Sequence, residues 1–535
     1  MIAVPVAGQP RYVAAEDAAR YRDALGAPLP PGLPDALLEP VADPVGDLVQ
    51  RFARTHGPFT AAAAAERFGL DAARVQQVLG WLASSGRVLQ GEFRPGGVER
   101  EWCGADVLRT LRQRSLARLR KEIEPVEPDA LGRFAAAWQG AARRRRGLDA
   151  LMDAVEQLQA APLVASALER DVLPARIEPY DPADLDRLVA AGEITWAGLE
   201  PLGERDGRVA LYLTDHLKLL WPPARGAAAP GPIEQRVLDE LGRHGASFFS
   251  TLHGGIGGFP QELVDALWSL VWRGLVTNDA MHALRAYVAP PARARRREPP
   301  AFRSRRVTPP EAQGRWSLLA DRLGTRPSAT EWSTAMARQL LARHGVLTRE
   351  AMSVEAVPGG YGAVYDVLRA MEDAGRVRRG LFVSGLGAAQ FALAPALDLL
   401  RAGRDADETP QVVTLASTDP ANPYGGILPW PAPEGAGRPT RSAGTLVVLV
   451  DGRLAAWIGR GDRQLLVWLP DDEPRRQQTG RAVAGELTRL ATESARQGLL
   501  VAEVNGRPVA DHPLAPFLDQ AGFTRGAMGM ARRRR

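Results

Sequence analysis

The chain has 535 residues, 45% of them hydrophobic and 24% charged, and its 67 Lys and Arg against 62 Asp and Glu leave a net charge of +5. That is the composition of an ordinary globular protein, too long for one core and sized for about three to five domains. A spanning helix is excluded, since no apolar run nears about 18 residues, and Met1–Pro5 lacks the basic stretch and apolar core of a signal peptide. The single cysteine, Cys103, excludes an internal disulfide and a cysteine-rich zinc site. A cytoplasmic protein with no membrane contact, metal or cofactor is expected. Nearly all basic residues are arginine, whose planar fork pairs phosphates bidentately. The two lysines are Lys121, after Arg120, and Lys218, after Leu217; neither has the Gly-Lys-Ser/Thr context of a phosphate-binding loop. The chain therefore carries no P-loop ATPase of its own.

Taken in order, residues 1–43 read as the remnant of a preceding domain and 44–125 as a winged helix. Its helices are predicted over 47–55, 61–68 (ended by Gly69) and 72–83, the last capped by Asp71. Strands at 88–93 and 98–102 flank Arg94-Pro95-Gly96-Gly97, a hairpin turn that makes the wing. The unit then repeats. Gly86, Gly192, Gly274 and Gly375 each end an apolar helical run and precede a β-favouring stretch, as a left-handed helix terminus requires. His56-Gly57, His244-Gly245 and His344-Gly345 open three of the units, 29, 29 and 30 residues before the closing glycine, and Pro162 opens the other. That interval fits two short helices, the second being the usual groove reader of a winged helix. The histidines lack ligand spacing and read as helix-end residues. Winged helices follow at 126–225, 226–288 and 331–405, with an Arg/Pro-rich linker at 289–330. From 406 the texture turns to strands, including 445–450, a turn at Asp451-Gly452 and 454–458, then a helix near 481–497. The fold class expected is α+β: tandem winged-helix domains followed by a β-barrel-like C-terminal domain.

Several stretches carry a family likeness. Ser417-Thr418-Asp419-Pro420-Ala421-Asn422-Pro423-Tyr424-Gly425, residues 265–279 from Asp265 to Asp279, Gly385–Ala392 and Ala14–Arg22 resemble the Lhr family of large helicase-related bacterial proteins. The resemblance implies the C-terminal extension of such a helicase, without its motor. It further implies a role in DNA repair, binding of single-stranded or tailed duplex DNA or an RNA-DNA hybrid, a helicase core in cis or in trans, and a homo-oligomer. The abrupt start suggests a fragment, a split gene or a misplaced start codon. A fainter likeness is to winged-helix DNA glycosylases of the AlkZ type, in which a Gln-x-Gln or Gln-x-Asp motif leads into Pro-Tyr-Asp. Here Gln159 precedes Pro179-Tyr180-Asp181, but Ala161 stands where the second polar residue belongs; two residues back, Gln157 and Gln159 keep both amides. The alternative function is thus excision of damaged bases or uracil, with Gln159 and Gln157 as catalytic candidates. A third reading is a scaffold whose winged helices bind only protein.

Candidate nucleic-acid contacts are Arg74, Arg94 and Arg100 on the first reader helix and wing, Arg143 and Arg144 in a basic cluster, Arg376, Arg378 and Arg379 on the fourth wing, and Tyr424 in a Pro- and Gly-rich loop. Arginines hold phosphates and rings stack on bases. Trp196 and Trp272 can serve as stacking residues or as core.

Overall fold

The computed structural model describes residues 1–94, 100–223, 229–289, 308–387, 389–402, 410–432, 435–461, 464–493 and 498–533, leaving aside the side chains of 115–123 and 493. The expected wing tip at 95–97, the linker arginines 293–306 and the end of the chain at 534–535 lie outside the described residues. The chain forms two compact units, Met1–Glu124 and Pro125–Arg535.

In the first unit, β1 (Ile2–Val6) and β2 (Gln9–Val13) pair antiparallel, followed by α1 (Ala18–Leu25). The helix α2 (Pro44–Thr55) starts three residues earlier than expected, because the Asp43 side chain accepts from Gly46 N–H and Pro44 suits a first helical position. Next come α3 (Ala61–Phe68), α4 (Ala72–Ser84), the pair β3 (Val88–Gly91) and β4 (Glu101–Gly104), and α5 (Ala105–Ile123). Val6, Ala24, Val49, Phe52, Leu79 and Trp102 share one core. Residues 1–43 are therefore packed with the first winged helix rather than standing apart from it.

The second unit begins with α6 (Pro128–Trp138), α7 (Gly147–Leu158), β5 (Leu163–Val164), α8 (Ala165–Ala167), α9 (Pro182–Ala190), β6 (Ile194–Pro201), β7 (Gly207–Leu213) and α10 (Thr214–Leu220). Its strands order β5-β7-β6. A second winged helix of this unit has α11 (Pro232–His244), β8 (Ser247–Phe248), α12 (Phe249–Ile256), α13 (Pro260–Trp272), β9 (Val276–Asn278), α14 (Met281–Val288) and β10 (Arg315–Leu318). Here β10 is the central strand, ordered β8-β10-β9. Residues 315–318, placed in the linker by composition, thus complete a sheet. The next block has α15 (Leu319–Leu323), α16 (Ala329–His344), β11 (Val346–Leu347), α17 (Met352–Glu355), α18 (Gly362–Asp373), β12 (Arg378–Gly380), β13 (Gln390–Ala392) and α19 (Ala394–Ala402), with strands β11-β13-β12. All four closing glycines have positive φ, between 66° and 80°, as a left-handed helix terminus requires.

Beyond it come β14 (Val412–Ala416), β15 (Leu446–Val450), β16 (Arg453–Ile458), β17 (Leu465–Val467), the helix α20 (Arg475–Glu493), β18 (Gly498–Val501), β19 (Glu503–Val504) and β20 (Arg507–Pro508). The six strands β14-β15-β16-β17-β19-β20 form one sheet in that order. Among the described residues it is an open sheet with β14 and β20 at its edges, and the barrel expected from the sequence is not formed there. The helix α20 supplies Val483, Ala484 and Leu487 to its core.

The blocks of the second unit are not beads on a string. One apolar cluster joins Leu151, Leu158 and Trp196 to Trp268, Val271 and Trp316, and a second joins Phe134 and Tyr212 to Leu340, Phe391, Leu415 and Trp457. Gly345, with φ 63°, shows how close the packing is: a Cβ there would lie 2.7 Å from Phe134 and 2.8 Å from Trp138. Among the described residues no helix is long and apolar enough to cross a membrane, and no group of three His, Cys, Asp or Glu is placed to hold a metal ion.

Candidate nucleic-acid interface

A winged helix reads a groove with an exposed, cationic or neutral second helix. The four reader helices of this chain differ sharply in that respect. The helix α4 is capped by Asp71, whose side chain accepts from Ala73 N–H at 2.8 Å and Arg74 N–H at 3.2 Å. It buries only Val75, Leu79 and Leu82. Its outer face shows Arg74, Gln76, Gln77 and Trp81, with Trp81 53% exposed and no carboxylate inside the helix. The Arg87 guanidinium lies 5.8 Å from the Trp81 ring centre and donates to Gln50 at 2.9 Å. Trp81 belongs to the apolar run Val78–Leu82, but helical spacing turns Val75, Leu79 and Leu82 inward and leaves Trp81 outward.

The other three helices lack such a face. In α9, Asp184 pairs with Arg187 at 3.0 Å and Asp186 with Arg285 at 2.8 Å, leaving more acid than base on the helix. In α13, eight of 13 residues are buried, among them Trp268 and Trp272. That helix packs on β6, where Thr277 Oγ1 also donates to the Trp196 carbonyl at 2.6 Å. Trp196 and Trp272 are therefore core residues, 0% and 5% exposed. In α18, Asp366, Glu372 and Asp373 outnumber Arg369. Like charge toward phosphate disfavours both acidic helices.

The remaining candidates fall into separate places. Arg94 is bound to the Glu101 carboxylate, which also accepts from the N–H groups of Phe93 and Arg94 at 3.2 and 3.1 Å. Burial pushes that carboxyl up, but the Arg94 bond and the N–H donors hold it below the usual range. Arg100, Arg376 and Arg378 are exposed, and Arg379 pairs with Glu372 at 3.2 Å. Arg143 and Arg144 line an open groove in the second unit. Tyr424 does not join them. It is 7% exposed, its hydroxyl donates to the Gly452 carbonyl at 2.9 Å, and burial raises its pKa to about 12, so its ring is closed to a base.

The Ser417–Gly425 loop is structural for the same reason. Asp419 is fully buried and forms two 2.8 Å bonds with Arg176. Asn422 donates to the Ser417 carbonyl, and Arg441 donates to the carbonyls of Asn422 and Tyr424. Gly425 has φ 73° under the Trp430 indole, where a Cβ would sit 2.2 Å from the ring.

Gln157 and Gln159 lie at the C-terminal end of α7, whose last carbonyls need donors. Gln339 of α16 donates to Glu156 O and Gln157 O at 2.9 and 3.0 Å, and Arg343 donates to Leu158 O and Gln159 O at 3.2 and 2.8 Å. Gln157 donates to Trp138 O at 2.9 Å. Gln159 is 1% exposed; its Oε1 accepts from Leu213 N–H at 3.0 Å and its Nε2 donates to Glu156 O at 3.2 Å. These amides cap and dock, and Gln159 Nε2 also lies 3.2 Å from His216 Nδ1. Gln159→Ala is expected to cost about 1–3 kcal/mol, the penalty of orphaning buried partners, and to leave any base-excision rate unchanged. Thermal melts and an abasic-site assay check this. A lost excision rate at an unchanged melting temperature would return Gln159 to catalysis.

Residues 126–214 and 326–412 match the family models for the third and fourth winged-helix domains of the large helicase-related (Lhr) protein, and residues 1–40 match that for the second. Over those residues the chain is similar to Lhr winged-helix domains. It is 43% identical over 532 residues to the Lhr helicase/probable uracil glycosylase of Mycolicibacterium smegmatis, covering 95% of this chain and 35% of that protein. It is 35% identical over 567 residues to the Lhr helicase/uracil glycosylase of Escherichia coli, covering 98% and 36%. The chain thus spans about a third of the length of the curated relatives it matches. Among solved structures it is similar to Streptomyces sahachiroi DNA glycosylase AlkZ, with a TM-score of 0.43 and 17% identity, over 69% of this chain and 96% of that one.

Proposed function

We propose that this Lhr-like chain is the nucleic-acid-binding module of an ATP-dependent DNA repair helicase, and that it engages duplex DNA through α4. The observation that carries the reading is the acid-free outer face of that helix, on which Arg74, Gln77 and Trp81 recur at helical spacing. Arg74 supplies a phosphate contact, the two glutamines supply amide groups able to pair with adenine edges, and Arg100 extends the cationic side toward the wing. Arg376 and Arg378 offer backbone contacts in the second unit without a reader helix to match. The motor acts in cis or in trans, and the module self-associates; both rest on the family likeness, and light scattering of the purified chain checks the second.

The test is duplex binding by fluorescence anisotropy at about 50 and 200 mM salt. Arg74→Glu is expected to weaken binding about tenfold or more at low salt and to flatten the salt dependence by about one phosphate contact. Trp81→Ala is expected to weaken it less and without changing the slope. Duplex binding that is indifferent to Arg74→Glu, or flat with salt, sinks the reading in favour of a protein-contact scaffold.

A further inference from the structure

We propose that the groove formed between α6, α7 and the 143–146 turn binds the phosphodiester backbone of single-stranded nucleic acid. This deepens the DNA-binding reading by giving the second unit a site of its own, separate from the duplex contact assigned to α4.

The groove is open and has a volume of about 1080 Å³. Five arginines line it, Arg143, Arg144, Arg145, Arg146 and Arg176, against one carboxylate, Asp153. The whole chain is nearly balanced in charge, so this imbalance is local. Three of the five are ion-paired, Arg144 with Glu178 at 3.1 Å, Arg145 with Asp153 at 2.7 Å and the buried Arg176 with Asp419 at 2.8 Å, so the free charge of the groove is that of Arg143 and Arg146. Arg143 has no ion-pair partner among the described residues, and Arg146 donates from Nε to the Glu178 carbonyl at 3.1 Å, keeping its charge. At the wall, Arg176 is 2% exposed and its Nε–H has no acceptor, a buried donor left over after Asp419, Gln139 and Val172 are served. An orphaned donor of this kind costs free energy unless something completes it.

The chemistry favours a strand over a duplex. A channel that binds single strands combines a cationic track with an aromatic platform. Trp138 lines the groove half-buried, and its ring is fixed by a 2.9 Å bond from Nε1 to the Ala342 carbonyl and by stacking on Phe134 at 5.6 Å. A prefixed ring loses little entropy when a base stacks on it. The concave site has no projecting helix to enter a duplex groove, whereas a strand can lie along it with phosphates on the arginine side.

The test uses the full chain with the double variant Arg143→Glu/Arg146→Glu, both exposed positions, and reads anisotropy of a labelled oligo-dT and of a duplex of equal length. Oligo-dT affinity is expected to fall about tenfold or more at 50 mM salt, and the logarithmic salt slope to shrink by about 1.4, two contacts at the single-strand value. Duplex affinity is expected to change by less than about threefold, and an unchanged melting temperature shows that the variant is folded. Equal losses on both ligands, or no loss on oligo-dT, overturn the proposal. Displacement of oligo-dT by 10 mM inorganic phosphate at fixed ionic strength would assign a small-anion site instead and also overturn it. Arg74→Glu separates the two readings: if it spares oligo-dT, the groove stands whether or not α4 reads duplex.

Discussion

Asp419→Ala is expected to lower the stability of the Pro125–Arg535 unit by about 3–5 kcal/mol, the cost of breaking a buried ion pair by removing one partner. Asp419 and Arg176 are 0% and 2% exposed in their side chains, and both bonds between them are 2.8 Å long. The bridge ties the Ser417–Gly425 loop to the segment just before α9. Asp419 Oδ1 also accepts from Ala421 N–H at 2.8 Å, so the substitution loosens the turn as well. Removing the carboxylate leaves a buried guanidinium with only Gln139 and the Val172 carbonyl for partners. Denaturant unfolding of the full chain measures the effect. The double variant Arg176→Met/Asp419→Leu is expected to recover most of the loss, because an apolar pair of similar volume avoids the desolvation penalty. A loss under about 1 kcal/mol for the single variant would mean that water reaches the bridge.

Glu355→Ala is expected to cost a similar amount, about 3–5 kcal/mol. Glu355, Arg343 and His344 are all buried; Arg343 Nε lies 2.9 Å and His344 Nε2 2.5 Å from Glu355 Oε1. Through Arg343 the cluster holds the C-terminal carbonyls of α7, so losing Glu355 frees the joint between α7 and α16. Burial pushes the Glu355 carboxyl up, and Arg343 and His344 pull it down by more, leaving it below its ordinary value. A depressed folded pKa means the stabilisation is complete above the unfolded carboxyl value of about 4.3 and is lost as pH falls through the folded value. Stability measured from pH 7 down to pH 3 should therefore show an acid limb that is smaller in Glu355→Gln. An equal limb in wild type and variant would remove Glu355 as its source.

The joint at α7 also explains why the site was only partly legible. Gln157 and Gln159 look like a catalytic amide pair in one dimension, yet a helix C-terminus with unsatisfied carbonyls is also a docking site. The docking donors are Gln339 and Arg343, about 180 residues away in the chain, and no local pattern points to them. Arg176 and Arg343 count toward the basic charge of the sequence, but both are consumed inside the protein. The Arg143–Arg146 cluster was legible because consecutive arginines cannot all be buried. The cavity beside it was not, because it needs Trp138, Gln157 and Arg176 to converge from three segments.

The winged-helix repeat was determined by the amino-acid sequence itself: Asp71 caps α4, Gly86, Gly192, Gly274 and Gly375 end their helices with φ near 70–80° or slightly less, and Asp451-Gly452 turns β15 into β16. Each depends on torsions and hydrogen bonds within a few residues, so local chemistry suffices. Tertiary structure alone decided which reader helix faces solvent. Gly80 and Trp268 each stand six residues before their closing glycine, yet Gly80 is exposed and Trp268 is 2% exposed. Periodicity specifies that a helix has an apolar face; only the neighbouring sheet, here β6 against α13, specifies whether a second face is covered too.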